Sequence, residues 1–201
     1  MEIQWVDKKV SVRTPFLHFY LARRGRLQRL KNQQVLSEMG IRIAEVGDWE
    51  SIVRIYNEAI DTRISTADTD YVSIENKENW LKEHSEERYP IYVAENNAET
   101  EGWCSLSPYR YGRSAFDKTA EISYYISETH RGKGVGTGLV ERAISDCSRL
   151  GIEILVAILL GSNAPSINLL LKFGFEEWGR LPGIAEIDAN RYDHLYMGKR
   201  V

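Results

Sequence analysis

The sequence predicts an α/β fold, a mixed central sheet flanked by helices, and three observations carry that expectation. Strand-length runs IYVAE at 91 to 95, GWCSLS at 102 to 107 and EISYYIS at 121 to 127 follow one another as a meander. A glycine-rich turn and a long amphipathic helix come next. After them, IEILVAI at 152 to 158 is the almost unbroken apolar run expected of a strand covered on both faces. With 201 residues the chain suffices for one domain with a sizeable core, plus a smaller appendage.

The boundary falls near residue 40. Residues 1 to 40 hold eight Lys and Arg against three Asp and Glu, and Val10 to Lys31 contains no acidic residue, so this part reads as a basic N-terminal appendage. Glu2 and Asp7 come too early, and hydroxyl residues are too few, for a transit peptide. Residues 41 to 201 carry the other 18 basic and 26 acidic side chains. That negative excess disfavours nucleic acid as a partner and attracts small cationic amines. No run approaches the roughly 18 apolar residues that would mark a membrane span. Cys104 and Cys147 have neither a CxxC partner nor an adjacent His, which points to free thiols in a reducing cytoplasm and to no metal site.

Within the domain, Ile41 and Ile43 alternate as a short strand, and Asp48 is placed to cap a helix whose Ile52, Val53, Tyr56, Ala59 and Ile60 share one face. A polar stretch from 61 to 72 precedes a second helix, which starts after Ser73 and carries Trp80, Leu81 and His84. The turn NNAETE, 96 to 101, separates the first two meander strands. In the helix over 135 to 149, Val135, Leu139, Ala143 and Cys147 line up at intervals of four, and Gly151 ends it. Asn163 and Pro165 mark the N-cap and first turn of a final helix that stops near Gly174. The tail from Arg191 to Lys199 has strand character.

The chemistry concentrates at RGKGVG, 131 to 136, between the third strand and the long helix. Glycines there let backbone N–H groups face an anion at a helix N-terminus, and Arg131 and Lys133 add positive charge, so the segment forms a phosphate site on physical grounds. The alternative is a glycine-rich connection that only packs tightly. Two other phosphate motifs are excluded: no GK[ST] occurs, and Thr137 and Leu139 break both GxGxxG frames.

This segment resembles motif A of the GNAT acetyltransferases, [QR]xxGx[GA], at Arg131, Gly134 and Gly136. Asn163 followed by PS, a helix, and Gly174 with Phe175 resembles the second half of that family's cofactor site. IYNEAI at 55 to 60, TAEISYYIS at 119 to 127 and NAPSINLLLKFGF at 163 to 175 are most similar to the phosphinothricin and methionine sulfoximine acetyltransferases. The resemblance covers residues 41 to 201 and implies a GNAT fold, a mixed sheet splayed around acetyl-CoA. It implies that main-chain groups of Tyr124, Tyr125 and Ile126 pair with the pantetheine arm. It also implies that the amides from Gly132 through Lys133, Gly134, Val135 and Gly136 to Thr137 hold the pyrophosphate, and that Asn163, also a helix cap, touches the cofactor near its thiol.

Glu121 matches the glutamate those enzymes use as base, and the alternative is an exposed carboxylate at a strand end. Arg113 stands where they carry an arginine suited to an acidic substrate group, against the alternative of a solvated loop residue, and Tyr109, Tyr111 and Phe116 offer walls for a pocket. Leu170 occupies a place where many relatives have Tyr or His, so no general acid is evident; His130 and His194 are the remaining nominees. The implied activity is acetyl transfer from acetyl-CoA to the primary amine of a small molecule, an amino acid or analogue. Rival readings are acetylation of a protein N-terminus or lysine, a non-catalytic acyl-CoA-binding module, and nucleic-acid binding through the basic appendage. A homodimer is left open.

Overall fold

The structure, a computed structural model, describes residues 40–201, so the basic appendage lies outside the described residues apart from Gly40. Alternating apolar residues in β1 (Gly40–Ile43), β3 (Glu99–Pro108) and β4 (Thr119–Ile126), and an unbroken apolar run in β2 (Ile91–Asn96), build four strands that pair antiparallel in the order β1-β2-β3-β4. The turn between β2 and β3 is tighter than NNAETE suggests. Only Asn97 and Ala98, both at positive φ, leave the ladder, and the strand resumes at Glu99.

β5 (Ile154–Leu160) lies parallel to β4, and the sheet continues through β7 (Asn190–Arg200) to β6 (Glu176–Ile187) at the edge, giving the order β1-β2-β3-β4-β5-β7-β6. The sequence predicts no element over 176 to 187. Gly179, Pro182 and Gly183 break the strand signal there, and the ladder is irregular at Glu177/Gly179 and Leu181/Ala185.

Four helices cover the sheet among the described residues: α1 (Trp49–Asp61), α2 (Ile74–Glu83), α3 (Val135–Leu150) and α4 (Ala164–Lys172). On one face Val135, Leu139, Val140, Ala143 and Cys147 of α3 pack with Leu170 of α4 against Tyr92, Cys104, Leu106, Ala120 and Ile122. On the other, Ile52 and Ile55 of α1 and Leu81 of α2 pack against Ile91, Val93 and Trp103. Every second residue of β3 and β4 thus faces α3, and the residues between them face the α1–α2 side.

Asp48 precedes α1 as expected but makes no cap with its side chain. Its carboxylate instead accepts from Glu45 N–H at 2.7 Å and pairs with Arg42 at 2.7 Å, fastening β1 to the turn. Ser73 does cap α2, accepting from Asn76 N–H. His84 falls one residue beyond that helix.

Candidate active site

β4 and β5 pair only at Thr119↔Ile154, Ala120↔Leu155 and Glu121↔Val156, although β4 runs on to Ile126 and β5 to Leu160. Beyond Glu121 the two strands part. Ser127 N–H bonds to Glu101 O on β3 at 2.9 Å, so by strand alternation the main chain of Tyr125 also faces β3. Tyr124 and Ile126 therefore turn their main-chain groups to the open edge, where Ile126 O accepts from Arg131 Nε at 3.3 Å. Of the three residues expected to pair with an extended ligand, two have that orientation and Tyr125 does not.

The chain then turns through Gly132 and Gly134, at φ 75° and 102°, into α3. Left-handed φ values of this kind favour glycine because a Cβ would crowd the backbone. The first bond of the helix runs from Gly138 N–H to Gly134 O, so the amides of Val135, Gly136 and Thr137 have no partner inside it. They sit beside the parted strands, with Arg131 and Lys133 exposed on the preceding turn. Gly136 has a packing reason as well, since a Cβ there would lie 3.1 Å from Leu169 Cδ2 of α4. The cradle fits an anion on these grounds: free amides, a helix N-terminus, and two cations at its mouth.

On the opposite face of β3 and β4 lies a cleft of about 630 Å³. Its floor is Trp103, Ser105 and Ser107 from β3 with Glu121, Ser123 and Tyr125 from β4, and α1 and α2 supply Tyr56, Lys77 and Trp80 as walls. The aromatic side chains hold one another. Tyr56 meets Tyr125 edge to face at 4.9 Å, and Trp103 lies 4.7 Å from Tyr125. Burial raises the Glu121 carboxyl above the usual carboxylate range, against the opposing pulls of Ser123 and Arg110. Burial likewise pushes the Tyr56 hydroxyl up to about 12 and Tyr125 well above the usual tyrosine value, so both stay neutral.

The predicted site residues divide sharply. Glu121 stands on the cleft floor and also closes the β4–β5 ladder, and Tyr111 lines the cleft. Arg113 does not reach it: the residue is exposed, and Arg110 is the arginine whose charge acts on Glu121. Tyr109 and Phe116 pack on each other at 5.6 Å outside the lining. Asn163 is the cap of α4, accepting from Ser166 N–H, and Ser166 Oγ in turn shares a 2.6 Å hydrogen bond with the Tyr124 hydroxyl. Leu170 is buried in the core. His130 lies 3.5 Å from Glu101 and His194 packs against Tyr196, both away from the cleft.

The sequence places Trp80 and His84 on the second helix without a role in the site, and assigns none to Trp103, Ser105 or Ser107. The available signal was the alternation in β3 and β4, where polar residues share one face while Cys104, Leu106, Ala120 and Ile122 share the other.

Parted parallel strands beside a free helix N-terminus, with a half-buried carboxylate at the fork, define an acyl-transferase type of site. The chain belongs to the acetyltransferase (GNAT) family, whose model matches residues 49–175. It is 46% identical over 164 residues to YwnH of Bacillus subtilis (strain 168), a protein with a provisional phosphinothricin acetyltransferase name, covering 81% of this chain and 99% of that one. It is 33% identical to an L-methionine sulfoximine/L-methionine sulfone acetyltransferase of Pseudomonas aeruginosa, over 78% of this chain and 91% of the relative. A crystal structure of a phosphinothricin acetyltransferase from Sinorhizobium meliloti in complex with AcCoA superposes with a TM-score of 0.77 at 26% identity, covering 82% and 89% of the two chains. No helix among the described residues is long and apolar enough to cross a membrane.

Proposed function

We propose that the chain moves the acetyl group of acetyl-CoA onto the primary amine of a small molecule, an amino acid or a close analogue. The observation that carries this reading is the position of Glu121, at the fork of β4 and β5 and on the floor of the cleft at once. The open edge of Tyr124 and Ile126 would take the pantetheine arm as an added strand, and the amides of Val135, Gly136 and Thr137 with Arg131 and Lys133 would hold the phosphates. The thioester supplies an electrophilic carbonyl. Only a neutral amine attacks it, and Glu121, its proton affinity raised by burial, accepts the proton that must leave.

The cleft's character sets the acceptor. Its aromatic walls suit the apolar body of a small amine, and its one lysine, Lys77, lies 4.8 Å from the Tyr56 ring, in reach of a substrate carboxylate. Names of the relatives agree with this class. A reducing, cytoplasmic setting fits Cys104 and Cys147, both buried and unpaired. Thiol release from acetyl-CoA against a panel of amino acids, polyamines and peptides tests the proposal. Release is expected with single amino acids or their analogues; release with peptides alone would overturn it.

A further inference from the structure

His84 ends its helix with both ring nitrogens engaged. Nδ1 lies 2.6 Å from the Trp80 carbonyl oxygen, and Nε2 lies 3.0 Å from Ser107 Oγ. A carbonyl oxygen only accepts, so Nδ1 carries the hydrogen. In the neutral ring Nε2 then has a free lone pair, and the Ser107 hydroxyl donates to it. Ser107 keeps its own oxygen lone pairs for the cleft. There it stands directly opposite Glu121, in an antiparallel pair joined by main-chain hydrogen bonds, with both side chains on the cleft face.

We propose that Ser107 and His84 form a proton relay behind Glu121, in which the proton Glu121 takes from the acceptor amine passes across the cross-strand pair, through one water of the cleft, to Ser107 Oγ as Ser107 gives its own proton to His84 Nε2. The inference rests on the acetyl-transfer reading of Glu121 and deepens it. An ammonium acceptor sheds two protons on the way to an amide, one to free its lone pair and one once the N–C bond has formed. As the C–S bond breaks, the leaving thiolate can carry away one of these. Glu121 holds the remaining proton, so it must be emptied before the next turnover. His84 supplies the next position and returns the proton to solvent when product leaves.

Burial lowers the proton affinity of His84, which keeps the ring neutral at rest and makes it release readily. Glu83 and Lys77 from α2, Tyr56 from α1, Tyr89 ahead of β2, Tyr111 after β3, and Glu121 and Tyr125 from β4 are the titratable groups that share the cleft with it. Glu83 favours the protonated ring, against burial. The resting tautomer also excludes a starting role as acid: with no hydrogen on Nε2, the neutral ring cannot donate toward the cleft until the relay has protonated it.

The test is kcat against pH, with the acceptor that gives the fastest thiol release, for the unaltered chain, H84A, S107A, the double variant and E121Q. H84A and S107A should each lower kcat at pH 7 by about tenfold, less than loss of the base itself. The double variant should be no slower than either, acetyl-CoA affinity by calorimetry should not change, and free imidazole should restore H84A. Nitrogen-15 NMR should place the resting hydrogen on Nδ1. Additive losses, an unaltered pH profile in S107A, or a hydrogen on Nε2 would overturn the relay. S107A removes only a hydroxyl, which keeps the test decisive if H84A fails to fold. Normal turnover by E121Q would remove the role of Glu121 and the relay with it. A slow E121Q beside normal H84A and S107A would remove the relay alone.

Discussion

Glu121 and Val156 are the last residues to pair β4 with β5, and the Glu121 side chain lies on the face that carries the cleft. Two halves of a site meet at that pair. On one side the strands part next to free helix amides; on the other a half-buried carboxylate sits among aromatic walls. This arrangement separates residues that hold the acyl donor from residues that handle the amine, and each set has its own test.

Gly134 sits at φ 102°, where a side chain costs about 1 to 3 kcal/mol of backbone strain. Gly134→Ala should therefore shift the start of α3 and weaken acetyl-CoA binding, measured by calorimetry, while the fold survives in circular dichroism. Gly134 is a cleaner probe than Gly136, whose substitution also disturbs packing on Leu169. Unaltered affinity in a folded Gly134→Ala variant would reject the cradle.

Arg113 lies outside the cleft and Lys77 within it, so the two cations should behave differently. Lys77→Met should raise KM for amino acids by about tenfold relative to the matching amines without a carboxylate, the worth of one charge-assisted hydrogen bond. Arg113→Ala should leave that ratio unchanged. A ratio that moves with Arg113 and not with Lys77 would reverse the assignment.

Asp146 joins α3 to the sheet, accepting from the Tyr92 hydroxyl at 2.6 Å and from Arg149 at 2.6 Å. The Arg149 hydrogen bonds, helped by Tyr92, hold its carboxyl down to about 2, below the ordinary 3.8. A depressed folded value means the stabilisation is complete above the unfolded pKa and is lost as pH falls through the folded one. Asp146→Asn should cost about 1 to 3 kcal/mol at pH 7, and the gap to the unaltered chain should close between about pH 4 and pH 2. Denaturant unfolding at several pH values measures this; a gap constant down to pH 2 would contradict it.

Trp178 lies at the irregularity of β6, and its ring covers Gly198, where a Cβ would fall 2.0 Å from the indole. Gly198→Ala should displace the ring and destabilise the edge of the sheet by about 1 to 3 kcal/mol. The double variant with Trp178→Ala should recover part of that loss. Equal stability of both single variants and the parent would mean that the ring has another seat.

Most of the fold was legible because its strands read as apolar or alternating runs and its long helix repeats every four residues, from Val135 through Leu139 and Ala143 to Cys147. β6 was not, since an exposed edge strand interrupted by Gly179, Pro182 and Gly183 carries no alternation to read. The glycine-rich turn announced itself through Arg131, Gly132 and Gly134. The parting of β4 from β5 came from family resemblance, because strand pairing leaves no mark on either strand alone. His84 and Ser107 were out of reach for a similar reason: they are 23 residues apart, and what joins them is the seating of α2 on the sheet. Arg113 shows the reverse case, a suitable residue type in a loop whose course no periodicity fixes, and it is seated outside the cleft lining.

The most direct measurement is the pH dependence of acetyl transfer by Glu121→Gln. The substitution keeps shape and hydrogen-bonding reach and removes the proton acceptor, so kcat at neutral pH should fall by about 10² to 10⁴ with acetyl-CoA affinity unchanged. In the unaltered chain the acid limb should lie above the ordinary carboxylate range, because burial raises the Glu121 carboxyl, and the variant should lose that limb. Its deficit should shrink as pH rises past the amine's own pKa, where the substrate arrives neutral. Near-normal kcat at neutral pH, or a loss that lies wholly in cofactor affinity, would contradict the assignment of Glu121 as the base.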